Sequence, residues 1–248
     1  MSVDKLFDTS PPRAVTATGM TRADIGAATA RLLFEAGAVR ISRERPFVLA
    51  AGWASPVYVD CRLLISEPGL RKAATRLAAN VLALMVAPGS FEVLAGAETA
   101  GLPFAAWLAD ELDLPFRYVR KRPLGIGHNS QVEGGPVGGR RVLLIDDLTT
   151  DARSKVAFAK GLRAAGAVVT DVVSIFYHSA FPGSAERLAE AGLTLHALAT
   201  WDDVLKADLG DRVVPDDRRV LEAFLADPVA WSTQHGGRSA LPPRLREL

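Results

Sequence analysis

Val142-Leu143-Leu144-Ile145-Asp146-Asp147-Leu148-Thr149-Thr150-Asp151-Ala152-Arg153-Ser154 decides the fold. Its four leading apolar residues read as a strand buried on both faces, the pattern of a central strand in a parallel sheet. Phe158, Leu162 and Ala165 then mark a helix, stopped by Gly166. In doubly wound sheets ligands bind beyond the carboxyl ends of the strands, which is where the acids and hydroxyls stand. Two acids there can hold ribose hydroxyls and favour a nearby Mg²⁺, while hydroxyls and backbone N–H groups at a helix start can hold a phosphate. Capping a helix needs one such residue. Five acids or hydroxyls in six positions (146, 147, 149, 150 and 151) exceed that need.

The alternation extends both ways from this stretch. Upstream, Thr21 with Asp24 reads as a capping box, followed by a helical face of Ile25, Thr29, Leu32, Leu33 and Ala36 up to Gly37. Residues 57–64 read as a strand. Leu70, Ala74, Leu77, Val81 and Leu84 mark a helix opened near Pro68 and closed by Pro88-Gly89. Residues 91–96 form a short apolar strand, Phe104, Leu108 and Leu112 a helical stripe, and residues 116–119 another strand. Downstream, strands at 172–177 and 193–198 flank a helix from about 184 to 191. This spacing predicts right-handed βαβ units and an α/β fold, a doubly wound and mainly parallel sheet.

The chain has 248 residues, enough for one large domain or two small ones. Hydrophobic residues at 49% and charged residues at 23% are ordinary globular usage, a poor fit to disorder or coiled coil. The 29 Lys+Arg against 28 Asp+Glu leave +1, so no strongly basic nucleic-acid coat is expected. Cys61 is the lone cysteine, so no intrachain disulfide can form and a reducing cytoplasm is the expected home. No apolar run reaches the ~20 residues of a membrane span, and residues 1–20 lack the apolar stretch of a secretory signal. Residues 1–20 and 234–248 read as loose tails around a single domain at 21–233.

Two further segments stand out. Gly96-Ala97-Glu98-Thr99-Ala100-Gly101 follows a strand and opens a helix, and its small residues let backbone amides approach a pyrophosphate closely. Residues 121–139 hold six glycines and no clear core pattern, as a lid would, entered through Arg120-Lys121-Arg122. The four histidines lack metal-ligand spacing, and Cys61, Trp53, Trp107 and Trp201 read as packing. Neither a Walker loop nor a dinucleotide fingerprint is present.

The stretch at 142–150 resembles the phosphoribosyl-pyrophosphate (PRPP) signature of type I phosphoribosyltransferases. With Ser55-Pro56-Val57-Tyr58-Val59-Asp60-Cys61-Arg62, residues 96–101, Tyr118-Val119-Arg120-Lys121, Gln131-Val132-Glu133-Gly134 and Thr200-Trp201-Asp202, the chain is similar to the orotate phosphoribosyltransferases over roughly residues 21–230. The resemblance implies a type I fold with a hood, mainly residues 21–66 with a C-terminal contribution, over a core at about 67–205. It also implies a homodimeric, Mg²⁺-dependent pyrimidine-biosynthesis enzyme that joins orotate to PRPP, with no nucleic-acid or membrane partner. Asp146 and Asp147 are then expected to hold the ribose hydroxyls. Leu148, Thr149, Thr150, Asp151, Ala152, Arg153 and Ser154 would surround the 5′-phosphate, with Thr150 also near orotate. Thr99 and Ala100 would line the pyrophosphate site, Tyr58 and Val59 the orotate pocket. Arg120 and Lys121 would bind pyrophosphate, Lys121 from a lid shared across the dimer; Lys121 and Asp147 are the expected catalytic pair. Mg²⁺ would be held mainly through PRPP, with Asp146 or Asp147 acting through water rather than as direct ligands.

The family usually has a lysine where this chain has Leu124, a further basic residue near Ile126, and glycines where Ala152 and Arg153 stand. His128 could supply part of the missing charge. A positive φ at position 152 would cost its Cβ roughly 1–2 kcal/mol. Two alternatives stay open at this level: a transferase for another base, and a non-catalytic PRPP- or nucleotide-binding regulator of the same fold.

Overall fold

The computed structural model describes residues 19–123 and 131–240. Helix α1 (Arg22–Glu35) opens on the expected capping box, with Thr21 and Asp24 satisfying each other's backbone N–H. Four short strands follow, β1 (Val39–Ile41), β2 (Phe47–Val48), β3 (Ala54–Ser55) and β4 (Val57–Val59). They pair antiparallel as β1 with β4 and β2 with β3. The expected strand over 57–64 stops at Val59. Asp60 accepts from the N–H of Arg62 and holds its guanidinium at 2.6 Å and 2.8 Å, turning the chain into a 3₁₀ helix (Cys61–Ile65) that buries Cys61 and Leu64.

Beyond helix α2 (Pro68–Met85) the main sheet begins with β5 (Val93–Ala97), α3 (Gly101–Leu112), β6 (Phe116–Val119) and β7 (Val132–Glu133). It continues through β8 (Val142–Thr149), α4 (Arg153–Ala164), β9 (Asp171–Tyr177), α5 (Ser184–Glu190) and β10 (Thr194–Thr200). Helices α6 (Trp201–Lys206), α7 (Pro215–Ala226) and α8 (Pro228–Gln234) complete the chain. The six strands lie in the order β10-β9-β8-β5-β6-β7, all parallel except β7. Alternate residues of β8 enter two cores. Leu143 and Ile145 join the cluster that includes α1, α2 and α3, whereas Val142 and Leu144 join Phe158, Leu162 and Leu188 on the opposite face. That two-sided burial is why 142–145 is apolar without alternation.

Two expectations change here. Residues 131–139 are not lid: β7 pairs with β6, and Val132 and Val137 are buried. Leu124, Ile126 and His128 lie outside the described residues. At the other end, Ser232 Oγ accepts from Ala54 N at 3.0 Å and donates to Arg238 O, and Arg238 N donates to Gly52 O at 2.9 Å. Arg238, expected in the C-terminal tail, is therefore bonded to the turn between β2 and β3, and the hood draws on both ends of the chain.

Candidate active site

Strand β8 runs four residues past its apolar run. Asp146 pairs with Ser174 and Leu148 with Phe176 on β9, so the two acids are strand residues rather than helix caps. Asp146 is 6% exposed. Its Oδ1 accepts from Asp147 N at 2.9 Å, and its Oδ2 meets the ammonium of Lys155 at 2.5 Å. Burial, and then the neighbouring Asp146 charge, push the Asp147 carboxyl up to about 6, while Lys155 works against the rise.

The loop from Leu148 to Ser154 leads into α4. Ala152 adopts φ 60°, ψ 2°, the left-handed conformation that glycine takes freely, and its methyl is buried among Phe158 and Ala159. Asp151 stabilises the turn by accepting from Arg153 N at 3.1 Å and from Arg153 Nε at 2.5 Å, and Arg187 donates to the Asp151 carbonyl. A cavity of about 280 Å³ lies between this loop and the hood, lined by Leu49, Ala50 and Ala51 on one side and Leu148, Thr150, Asp151, Arg153 and Ser154 on the other.

Thr149 does not reach that cavity. It is fully buried, and its hydroxyl is bonded to Ser174 at 2.7 Å within the sheet. Val59 belongs to the core, and Tyr58 is half-buried under the Arg40 guanidinium, 4.7 Å from its ring centroid. Neither lines the cavity that Thr150 lines.

The 96–101 turn stands beside β8 for a specific reason. A Cβ on Gly101 would sit 2.4 Å from Ile145 O and 3.0 Å from Asp146 Cα, so the close approach of α3 to β8 at this point requires a glycine. Thr99 is exposed, Ala100 half-buried, and the Glu98–Thr99 peptide is cis. Glu98 Oε2 accepts from Lys121 N at 2.7 Å, tying this turn to the strand that carries the basic run. Arg120 is held between Tyr118 Oη and Glu133, and its backbone pairs with Gln131. Lys121 and Arg122 are exposed. The structure thus brings two acids, the 148–154 loop, a small-residue turn and two exposed cations to one edge of the sheet.

Lys155 and Glu98 were not singled out from the sequence. Lys155 carried a signal, a cation in the first turn of a helix, where the dipole disfavours it. Glu98 lay inside the quoted turn, but its partner is set by the β5–β6 pairing. Among the described residues, no group of three or more His, Cys, Asp or Glu side chains could hold a metal ion directly.

A family model for the phosphoribosyl transferase domain matches residues 64–181. Orotate phosphoribosyltransferase of Rhizobium rhizogenes is 44% identical over 222 residues, 89% of this chain and 95% of that protein. The Agrobacterium fabrum protein of the same name is 43% identical over 86% of this chain and 92% of its own length. Among solved structures, orotate phosphoribosyltransferase from Aeropyrum pernix superposes with a TM-score of 0.60 at 32% identity, covering 72% of this chain and 97% of that one. Leishmania donovani UMP synthase gives a TM-score of 0.69 at 28% identity over 82% of this chain and 43% of its own. Relatives of that name are matched over nearly their whole length, and the chain belongs to the orotate phosphoribosyltransferase family.

Proposed function

We propose that this chain transfers the 5-phosphoribosyl group from PRPP to orotate, giving orotidine 5′-monophosphate and pyrophosphate for pyrimidine biosynthesis. The observation that carries the reading is the convergence at one sheet edge: Asp146 and Asp147 on β8 abut the 96–101 turn through Gly101, and the turn is bonded to Lys121. The C1–O bond to pyrophosphate breaks, a ring nitrogen of orotate forms the new bond to C1 as its proton passes to the departing pyrophosphate, and the sugar passes through oxocarbenium character. Asp147, ionised above about pH 6, accepts the ribose hydroxyls together with Asp146 and places negative charge near the developing cation. Thr150, Ser154 and the N-terminal amides of α4 receive the 5′-phosphate. Thr99, Ala100, Arg120 and Lys121 surround the departing pyrophosphate, whose growing charge the cations stabilise.

The two adjacent acids at the end of β8 fit a divalent cation brought in with the substrate, since burial and then the Asp146 charge raise the Asp147 carboxyl and a nearby cation opposes that rise. Bound through PRPP beside Asp146 and Asp147, Mg²⁺ would supply charge that offsets the negative charge of the leaving group. The reading includes a cytoplasmic homodimer in which Lys121 reaches the neighbouring protomer's site, the exposed end of β6 supplying the reach. No helix among the described residues is long and apolar enough to cross a membrane.

The test is an assay of purified protein with PRPP, Mg²⁺ and orotate. Orotate absorbance should fall and pyrophosphate should appear in equal amount. Tight PRPP binding by calorimetry with no turnover on orotate would refute the transferase reading and favour a regulator.

A further inference from the structure

Lys155 is 2% exposed and stands in the first turn of α4, where the helix dipole opposes a positive charge. A buried ion pair is weak support for stability, since apolar replacements of both partners are often neutral. The geometry gives this ammonium a more specific task. It donates to Asp146 Oδ2 at 2.5 Å, to the Leu148 carbonyl, and to Ser154 Oγ at 3.2 Å. Those acceptors are the acid at the root of the loop, the residue where the loop leaves β8, and the residue where it enters α4. Its three protons thus close the loop from beneath.

We propose that Lys155 is a positioning residue for the phosphoribosyl site, fixing the Asp146 carboxylate and both ends of the 148–154 loop in the shape that receives PRPP. The need is local. Ala152 holds a left-handed turn without glycine's freedom, and past the β9 pairing of Leu148 and Thr149 the loop is bonded through Asp151 to Arg153 and Arg187. Lys155 supplies the constraint at its two ends. The proposal rests on the PRPP reading above but adds a residue that touches no substrate.

Lys155→Met removes the protons and keeps the stem. The expected result is a loss of PRPP affinity of tenfold or more by calorimetry with Mg²⁺ present, and a matching rise in KM for PRPP. Affinity for inorganic pyrophosphate, which engages the Thr99 and Lys121 side, should change less than twofold, and KM for orotate less than threefold. A merely structural role would lower the active fraction and leave these ratios untouched, which would overturn the proposal, as would unchanged PRPP affinity. Wild-type protein that binds no PRPP would sink the functional reading itself, a separate outcome. Should Lys155→Met fail to fold because Asp146 is left unpaired, Asp146→Asn is compared with Asp146→Asn/Lys155→Met, which leaves no orphan charge. A further loss of at least threefold in PRPP affinity supports the clamp on the loop ends, and no further loss refutes it.

Discussion

Asp147 has a carboxyl that burial and Asp146 hold at about 6, against roughly 3.9 in an unfolded chain. A raised value favours the protonated form in the fold. That contribution is fully present below about pH 4 and is lost as pH rises through 6. Two pH units correspond to at most about 3 kcal/mol, and partial exposure reduces this to an expected ~1 kcal/mol, or some 2–4 °C in Tm. Asp147→Asn should therefore melt about 2–4 °C above wild type at pH 7.5 and together with it near pH 4. Equal melting at both pH values would show that the site does not strain this acid. His178 bends stability the other way. Fully buried between Phe181, Trp201 and Phe224, it has no hydrogen-bond partner for either ring nitrogen among the described residues, and burial lowers it to about 4 from 6.5. Stability from its neutral ring is present above about pH 6.5 and is lost as pH falls through 4. His178→Phe should flatten the fall in Tm between pH 6.5 and 4, measured by calorimetric melts; an unchanged slope would locate acid sensitivity elsewhere. The wild-type curve is the sum of the two opposed slopes, so only the variants separate them.

Gly101 shows how an element fixes the site. A methyl here collides with the β8 backbone at Ile145 and Asp146, so Gly101→Ala must push α3 and β8 apart. Overpacking of this kind costs about 1–3 kcal/mol. The expected outcome is a Tm lowered by several degrees and PRPP affinity at least tenfold weaker, whereas Gly69→Ala, with open space around its Cβ, should leave both unharmed. Wild-type affinity in Gly101→Ala would detach the helix from the site. The sequence reading placed this glycine correctly but explained it by approach of a pyrophosphate; contact between two distant segments cannot be read from a single turn. Ala152 was legible, because a loop built for glycine predicts its positive φ. Its roughly 1–2 kcal/mol of strain is offset by burying a methyl, worth about 0.8 kcal/mol, and by lower unfolded-state entropy, worth about 0.4–1 kcal/mol. Strand β8 was legible because two cores demand apolar residues on both faces. Strand β7 was not, since Val132 and Val137 sit among Gly134, Gly135, Gly138 and Gly139, and only pairing with β6 reveals them. The Lys155 clamp escaped because its acid lies nine residues away on another element.

At the scale of the whole molecule, the two halves of the chemistry are mechanically separable. The acids belong to the rigid centre of the sheet, on a strand hydrogen-bonded on both sides by β5 and β9. Lys121 stands just past the end of β6, its backbone N–H donating to Glu98 and its side chain exposed. Few core contacts depend on that side chain, so Lys121→Ala should leave Tm within about 1 °C while cutting turnover strongly. The same separation makes the proposed sharing across a homodimer testable. Lys121→Ala and Asp146→Asn/Asp147→Asn are each expected to be inactive alone. If the lysine serves the partner's acids in a two-fold dimer, a hybrid carries both lesions in one site and neither in the other. With equal, freely exchanging subunits, half the dimers are hybrids, so activity should recover to about a quarter of wild type. A dimer in which each lysine serves its own acids gives no recovery, because every site keeps one lesion. Subunit exchange is verified by mass tagging before the assay. Exchange without rescue would confine Lys121 to its own protomer and refute the shared site while leaving the transferase reading intact.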